Sequence, residues 1–296
     1  MSKGIILSDA ISKGFGNLLI NNKNQKEDLD KKIDELENVI KYHVSLNDFI
    51  KIFNKIYAIN NHGYKFDPNA NNKEALNLQY TILYWLFRED ESFMKSPLLN
   101  KEINNPNINK SLCIIGGVGC GKTTIIETFM TICRKANDQF VNLKVKACED
   151  DNILIPLKAY LPNFRTLNAN KIVEMYESCI TQQDKATFWK TVTKGNIYFD
   201  DVLTERQASN YGKVELFKDI FERRYENGSN LKTIVSMNYC KLYDQTNKLY
   251  EPRTPKGGGN LRDTMDVIYS KYGMRVEDRF YQIFNFIEMD GASLRK

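Results

Sequence analysis

One glycine-rich stretch carries the clearest chemical signal in this chain: GGVGCGKT, at positions 116–123. It fits the P-loop pattern G-x-x-x-x-G-K-[ST], with a strand-like apolar run before it and a helical pattern after it. Glycines let the backbone turn so that its N–H groups point at phosphate oxygens, which the positive end of the next helix also attracts. The lysine can reach the β- and γ-phosphates, and the threonine hydroxyl can bind Mg²⁺. We therefore predict a site for ATP and Mg²⁺ formed by Gly116, Gly117, Val118, Gly119, Cys120, Gly121, Lys122, Thr123 and Thr124.

Two acidic residues stand near the end of a second apolar run, NIYFDDV, at residues 196–202. In P-loop ATPases, an acid at the end of such a strand holds Mg²⁺, and a further residue orients the attacking water. We assign Asp200 to the metal, together with Thr123, and Asp201 to the water. Many such ATPases have glutamate at the second place. Because aspartate is one methylene shorter, slow turnover is expected.

A third polar position is Asn238, which ends the apolar run LKTIVSMN at residues 231–238. A polar tip on a strand beside the P-loop strand can hydrogen-bond the attacking water or the γ-phosphate, which is the role of a sensor residue. An asparagine in an ordinary strand-to-loop turn gives the same pattern. The sequence leaves both interpretations open.

Composition narrows the remaining functional classes. The chain has 296 residues, 42% of them hydrophobic, which allows one large domain or one domain with a small appendage. Its net charge of +5 permits nucleic-acid contact without arguing for it. Six cysteines without C-x-x-C spacing, and two histidines far from every motif, argue against disulfides, zinc and histidine catalysis. With no signal peptide and no membrane-length apolar run, we expect a cytoplasmic protein without membrane contact.

The secondary structure that must position these residues is predicted to change along the chain. Residues 27–59 predict two amphipathic helices, a polar linker follows at 60–72, and another helix covers 74–87. From residue 111 onward, short apolar strands alternate with amphipathic helices, which predicts an α/β domain with a mostly parallel sheet. The segment Glu251–Thr264 is predicted to be a flexible surface loop. Three of its residues are basic and could touch DNA: Arg253, Lys256 and Arg262.

Taken in order, the motifs resemble the DnaC/IstB branch of AAA+ ATPases, and especially its phage- and plasmid-type DnaC-like replication proteins. Members carry D-[DE]-L-G-x-E, an R-Y helix end, a T-[ST]-N strand and the closing motifs Y-G-x-R-x-x-[DS]-R and G-x-S-x-R. The resemblance covers residues 72–296, with Leu203 in place of the usual Gly and Met237 in place of Ser or Thr. The matching residues are Asp200, Asp201, Glu205, Arg224, Tyr225, Asn238, Tyr272, Gly273, Arg275, Asp278, Arg279, Gly291, Ser293 and Arg295.

The resemblance implies a nucleotide site shared between neighbouring subunits. Arg279 would be the arginine finger that reaches into the next subunit, and Arg295 would touch phosphate within its own subunit. Arg275, four residues before Arg279 on one helical face, would support either arginine or pair with Asp278. A planar guanidinium can donate to two γ-phosphoryl oxygens at once, and a finger supplied in trans makes hydrolysis depend on assembly.

The fold of the ATPase and its partners follow from the same resemblance, whereas the helical region before residue 65 lies outside it and rests on its apolar periodicity. The fold would be an AAA+ P-loop NTPase, with a five-stranded, mostly parallel sheet between helices and a small helical N-terminal region before it. The domains would be a helical partner-binding region at 1–65, a helical linker at 66–110 and the ATPase at 111–296. The implied partners are the replicative DNA helicase, DNA in its single-stranded form, and further copies of the chain in a ring or spiral.

Four functions are compatible with these motifs. The first is a helicase-loader ATPase in DNA replication. The second is an IstB-like transposition ATPase that remodels DNA and recruits a transposase. The third is an ATP-switched scaffold with negligible turnover, which the short side chain of Asp201 suggests. The fourth is a small-molecule P-loop kinase, which would need a substrate-binding lid within the chain and no arginine from a second subunit.

Overall fold

A computed structural model describes residues 46–137, 144–146, 154–156, 161–209, 212–228, 231–241, 251–252 and 260–293. The chain divides into two compact units, Met1–Tyr64 with Thr131–Pro162, and Lys65–Met130 with Asn163–Lys296. In the described part of the chain, no helix is long and apolar enough to cross a membrane.

Helices and strands alternate through most of the described chain. The helices are α1 (Leu46–Asn60), α2 (Glu74–Phe87), α3 (Asp90–Met94), α4 (Lys122–Asn137), α5 (Ala169–Glu177), α6 (Gln182–Thr193), α7 (Leu216–Glu226), α8 (Leu261–Tyr272) and α9 (Met274–Ile283). The strands are β1 (Ser111–Gly116), β2 (Lys144–Lys146), β3 (Leu154–Pro156), β4 (Phe164–Asn168), β5 (Asn196–Val202), β6 (Ala208–Ser209), β7 (Lys213–Val214), β8 (Thr233–Asn238), β9 (Cys240–Lys241), β10 (Glu251–Pro252) and β11 (Phe284–Met289).

Five of these strands form one parallel sheet in the second unit. The order across the sheet is β11–β1–β8–β5–β4, and each neighbouring pair is parallel. All six residues of β1 are buried, as are the first five of β8, because helices cover both faces of a parallel sheet. The α/β fold with a five-stranded parallel sheet between helices, predicted from the sequence, is confirmed.

Aromatic rings join the helices after β5 to the sheet. Phe221 of α7 lies with its ring centroid 4.7 Å from that of Phe280 on α9, and both rings are fully buried. Phe199 of β5 packs edge-on against Phe217 of α7, with centroids 5.6 Å apart. This aromatic core fixes α7 and α9 on one side of the sheet, because edge-to-face pairs add to the burial of their area.

The segment after α3 is fastened along strand β11 by asparagine side chains. The Asn100 amide donates to Glu288 at 2.7 Å, and the Asn104 amide donates to the carbonyl oxygens of Tyr281 and Phe284 at 2.9 and 2.8 Å. These bonds hold the segment at the outer edge of the sheet, where Leu99 also forms an antiparallel bridge with Ile287 of β11.

Within the first unit, α1 matches the second of the two helices predicted at residues 27–59. Its residues Phe49 and Phe53 are buried, as the helical spacing of its apolar positions requires. The first predicted helix lies outside the described residues. Strands β2 and β3 of this unit pair antiparallel with each other and do not join the parallel sheet.

The predicted surface loop at 251–264 is wrong at both ends: its first two residues form strand β10, which pairs with β9, and its last four open helix α8. The Asn260 side chain caps this helix by accepting the N–H of Asp263 at 2.8 Å. An asparagine cap after a glycine run is a helix-start signal that the loop-like composition obscured. Arg262 therefore lies on a helix, whereas Arg253 and Lys256 lie outside the described residues.

The first residue of the R-Y motif at the end of α7, Arg224, has a structural role. Arg224 is buried, and its guanidinium donates to Thr233 Oγ1 at 2.8 and 3.0 Å and to the carbonyl oxygen of Gly195 at 3.1 Å. These acceptors stand at the amino ends of β8 and β5. Burial, with a smaller effect of Arg165, lowers the pKa of Arg224 to about 10, so it stays charged at neutral pH.

Replacing Arg224 by alanine is expected to destabilise the fold by about 3 kcal/mol, because buried acceptors lose their donor and a cavity remains. For a chain of this size, that corresponds to a fall in melting temperature of roughly 5 °C in differential scanning calorimetry. Arg223→Ala is the matched control. Arg223 is exposed and stacks over the Trp189 ring at 4.2 Å, which is worth about 1 kcal/mol or less. Equal losses for the two variants would contradict the structural role of Arg224.

Candidate active site

The carboxyl edge of the sheet brings the three predicted polar groups together. Strand β8 lies between β1, which leads into the P-loop, and β5, which carries the two acids. Gly116 at the end of β1 pairs with Asn238 at the end of β8, and Met237 pairs with Val202 of β5. The strand pairing therefore places Asn238 where the sequence predicted it, on a strand next to the P-loop strand.

The glycines of the P-loop are required by its backbone path. Gly119 and Gly121 have φ angles of +79° and +100°, a region that side chains with a Cβ rarely adopt. At Gly116, a Cβ atom would lie 2.4 Å from the carbonyl oxygen of Met289 on the neighbouring strand β11. Helix α4 begins at Lys122, so its N-terminal N–H groups and positive dipole end open directly onto the loop.

Lys122 is a buried ammonium group with neutral partners. Its Nζ donates to the carbonyl oxygens of Gly116 and Gly117 at 3.0 and 2.8 Å, and to Asn238 Oδ1 at 3.1 Å. It is 5% exposed, and among the described residues no carboxylate lies within ion-pair distance of it. Burial lowers the pKa of Lys122, against a smaller opposing effect of Cys120 and the two acids. A buried cation without an ion-pair partner favours an anionic ligand at this place.

The two predicted metal ligands touch each other. The Thr123 hydroxyl donates to Asp200 Oδ1 at 3.1 Å, and Asp200 is 8% exposed. A hydroxyl and a carboxylate are hard oxygen ligands of the kind that Mg²⁺ takes beside nucleotide phosphates, so the donor set fits this ion. The Glu127 carboxylate, one helical turn after Thr123, lies close enough to Asp200 to feel its charge. Desolvation and the charge of Asp200 raise the pKa of Glu127.

Two buried hydroxyl groups around Asp200 were not predicted from the sequence. Tyr198 OH donates to Asp200 Oδ1 at 2.6 Å, and Ser236 Oγ donates to the same oxygen at 2.8 Å. Burial, and then the Asp200 charge, raise the pKa of Tyr198 well above its usual value. The sequence held a signal for both: Tyr198 precedes Asp200 by two, and Ser236 precedes Asn238 by two, so each pair shares a face of its strand.

The backbone turns sharply after Asp200. Asp201 has a φ angle of +56°, Leu203 has one of +76°, and the pairing of β5 with β8 is irregular between Phe199 and Val202. Leu203 is the position where the resembled family has glycine, and its left-handed conformation explains that preference. Leucine is held there although the conformation costs about 1–2 kcal/mol, because its side chain is buried. The bulge interrupts the regular strand alternation at Asp200 and Asp201.

A buried polar cluster anchors the loop that follows the acids. Glu205 Oε1 accepts from Tyr272 OH at 2.5 Å and from Lys271 Nζ at 2.5 Å, and Lys271 also donates to the Glu205 carbonyl oxygen at 2.9 Å. Glu205 and Tyr272 belong to two of the motifs singled out in the sequence, and Lys271 directly precedes Tyr272. The cluster ties the chain after β5 to the end of α8.

Arg279 does not lie beside the P-loop of its own chain. It is 7% exposed, its guanidinium stacks over the Tyr225 ring at 4.5 Å, and Glu222 is 4.0 Å away. Tyr225 follows Arg224, which binds the amino ends of the strands, so Arg279 is turned toward the edge opposite the P-loop.

The other two arginines of the closing motifs differ from Arg279. Arg275, one turn earlier on α9, is exposed, and no ion pair joins it to Asp278. Asp278 instead accepts a hydrogen bond from Gln282 at 2.8 Å, so the predicted pairing of Arg275 with Asp278 is wrong. Arg295 lies outside the described residues.

Comparisons with known proteins add one structural likeness. No protein-family model matches the chain, and no curated protein matches it. Seven chains of solved structures match, among them one described as the crystal structure of the DnaC helicase loader. That match has 18% sequence identity and a TM-score of 0.35, and it covers 61% of this chain and 78% of that chain.

Proposed function

We propose that this chain is a P-loop ATPase that binds ATP with Mg²⁺, hydrolyses it slowly at a site shared between subunits, and acts as a helicase loader in DNA replication. The observation that carries the nucleotide proposal is the buried ammonium of Lys122. It stands at the start of helix α4, inside a glycine turn, with neutral hydrogen-bond partners. An anion with several oxygens is the ligand that this arrangement favours.

The predicted residues of the P-loop and of strands β5 and β8 each have a place in the proposed reaction. The P-loop N–H groups and Lys122 bind the phosphates, and Lys122 exchanges its carbonyl partners for phosphate oxygens. Thr123 and Asp200 would hold Mg²⁺, which neutralises charge on the β- and γ-phosphate oxygens when it is bound. Asp201, which follows Asp200 at the bulge, orients the attacking water. Asn238 already holds Lys122 at 3.1 Å, so it is placed to sense whether phosphate has replaced that contact.

The shared site rests on Arg279. Within one chain this arginine contacts Tyr225 and Glu222 and not the P-loop, and in the proposed assembly it contacts the γ-phosphate of a neighbouring copy. Its stacking partner Tyr225 is 40% exposed, so the pair lies near a surface that a neighbour can approach. Assembly into a ring or spiral would place this surface against the next P-loop, and the guanidinium would exchange Tyr225 and Glu222 for phosphate.

The motif order favours an ATPase of the DnaC/IstB kind over a small-molecule kinase, and the loader is preferred because the resemblance is strongest to DnaC-like replication proteins. The R-Y end of α7, the closing Y-G-x-R-x-x-D-R and the final G-x-S-x-R occur together in DnaC-like replication proteins. An IstB-like transposition ATPase remains the second candidate, since it shares these motifs. The proposed partners are the replicative helicase, bound by residues 1–65, and single-stranded DNA.

Deleting residues 1–65 is expected to abolish capture of a hexameric replicative helicase, while the affinity for ATP stays unchanged. Capture is measured by co-elution of the two proteins in size-exclusion chromatography with ATP and single-stranded DNA. Because the deletion removes α1 with its buried Phe49 and Phe53, a shorter deletion of residues 1–45 serves as the matched variant. Unchanged helicase capture by both variants would contradict the proposed docking region, and capture of a transposase instead would favour the second candidate.

A further inference from the structure

Three hydroxyl groups from three different elements converge on one oxygen of Asp200. Thr123 of α4, Tyr198 of β5 and Ser236 of β8 donate to Oδ1 at 3.1, 2.6 and 2.8 Å. The Oδ1 atom is thereby saturated, whereas Oδ2 has no donor among the described residues. A carboxylate held through one oxygen by donors on both sides has a fixed orientation.

Ser236 connects the two acids of the site. Its hydroxyl donates to Asp200 Oδ1, and it accepts the backbone N–H of Asp201 at 3.2 Å. Asp201 is the residue with a φ angle of +56°, a conformation that needs support from its surroundings. Ser236 therefore holds the side chain of one acid and the strained backbone of the next.

The burial of Tyr198 and Ser236 indicates that the role of their hydroxyl groups is to bind the Asp200 carboxylate. Tyr198 and Ser236 are 0% and 1% exposed, and their hydroxyl oxygens are 3.0 Å apart. Phenylalanine and alanine would fill these positions without a polar group to satisfy. No described lysine or arginine lies within ion-pair distance of Asp200, so the hydroxyl groups orient its charge and do not neutralise it.

We propose that Tyr198 and Ser236 are positioning residues for the metal: by occupying Asp200 Oδ1, they reserve Oδ2 for Mg²⁺ and set its direction. The inference rests on the proposed function, since it concerns the metal of that same site. Neither residue touches nucleotide or metal in this arrangement. They act through Asp200, as outer partners of metal-binding carboxylates do elsewhere.

The test uses the full chain and measures nucleotide binding, not turnover. Affinity for a fluorescent ATP analogue is determined without Mg²⁺ and then across a Mg²⁺ titration. Tyr198→Phe is expected to leave the Mg²⁺-free affinity unchanged and to raise the half-saturating Mg²⁺ concentration roughly 10- to 100-fold. Ser236→Ala is expected to do the same.

Tyr272→Phe is the matched control, because it removes one hydroxyl from another fully buried tyrosine. That hydroxyl binds Glu205, not Asp200, so the Mg²⁺ requirement should stay at that of the parent chain. The inference is overturned if Tyr198→Phe and Ser236→Ala keep the parent Mg²⁺ requirement, or if the control shifts it equally. A parent chain whose nucleotide binding does not respond to Mg²⁺ would overturn the proposed function, and this inference with it.

Discussion

Lys122→Ala should abolish ATP binding at micromolar protein concentration, and with it all turnover. The ammonium is the one charged group of the P-loop that points among its carbonyl oxygens, and it is 5% exposed. Charge-assisted bonds from a buried lysine to phosphate are worth about 3 kcal/mol, which is roughly a hundredfold in affinity. Isothermal titration calorimetry with ATP and Mg²⁺ measures the loss directly.

The same variant should keep its fold. In the nucleotide-free protein, burial lowers the pKa of Lys122, so its charged form is held at a free-energy cost that alanine removes. The lost hydrogen bonds to Gly116, Gly117 and Asn238 act in the opposite direction, and the melting temperature should change by only a few degrees. This separates loss of a ligand contact from loss of structure.

Lys135→Ala, near the other end of helix α4, is the matched control. Its Cα atom is thirteen residues further along the helix, or about 20 Å from that of Lys122. The control should bind ATP as the parent chain does. Parent-like affinity in Lys122→Ala would remove the nucleotide proposal, since no other described feature of the P-loop supplies a full positive charge.

Arg279→Ala should lower the turnover rate about 1,000-fold or more, with the affinity for ATP unchanged. An arginine finger stabilises charge that develops only in the transition state, so its loss acts on the rate and not on ground-state binding. The measurement is ATP turnover per subunit against protein concentration, with and without single-stranded DNA. In the parent chain, turnover per subunit should rise with concentration, because the site is complete only in the assembly.

Arg275→Ala is the control for this experiment, because Arg275 is exposed on the same helix one turn earlier. Arg279→Ala also removes the stacking on Tyr225, which is worth about 1 kcal/mol of stability, so the melting temperature of each variant is measured alongside. A decisive version mixes Lys122→Ala and Arg279→Ala subunits. Each is inactive alone, but a mixed assembly contains interfaces where an intact P-loop faces an intact Arg279.

Regained turnover in the mixture would establish that the site is shared. Turnover that is independent of concentration and indifferent to Arg279 would mean that each chain works alone. The arginine would then be structural, held by Tyr225 and Glu222 as in the isolated chain. A monomeric P-loop enzyme, such as a small-molecule kinase, would become the better interpretation.

Much of the site was readable from local sequence, for a physical reason. The glycines of the P-loop, Lys122 and Thr123 act through a backbone turn and the first turn of one helix, which adjacent residues alone specify. Asp200 and Asn238 were recognisable because each ends a buried apolar run. The alternation of strands and helices after residue 111 likewise predicted the α/β fold, since the period of apolar residues is a local property.

Elements with weak local signals were missed. Strand β4 lies at a sheet edge and buries only one of its five residues fully, so its apolar pattern is faint. Strand β11 follows helix α9 without a turn residue between them, so no breaker marks its start. Helix α8 begins behind a glycine run that predicts a loop. The two strands are fixed by pairing within the sheet, whereas the start of α8 had a local signal, the Asn260 cap, behind that glycine run.

What only the tertiary structure decided is which distant residues meet. Strand β8 lies between β1 and β5, so Ser236 reaches Asp200 across 36 positions of sequence, and Asn238 reaches Lys122 across 116. Strand neighbours are chosen by hydrogen-bond pairing and burial over the whole sheet, and no local pattern encodes them. The same packing puts Arg279 on Tyr225, away from its own P-loop. The residue types that the proposed chemistry needs are therefore specified by short motifs, whereas their relative positions are set by strand pairing in the sheet.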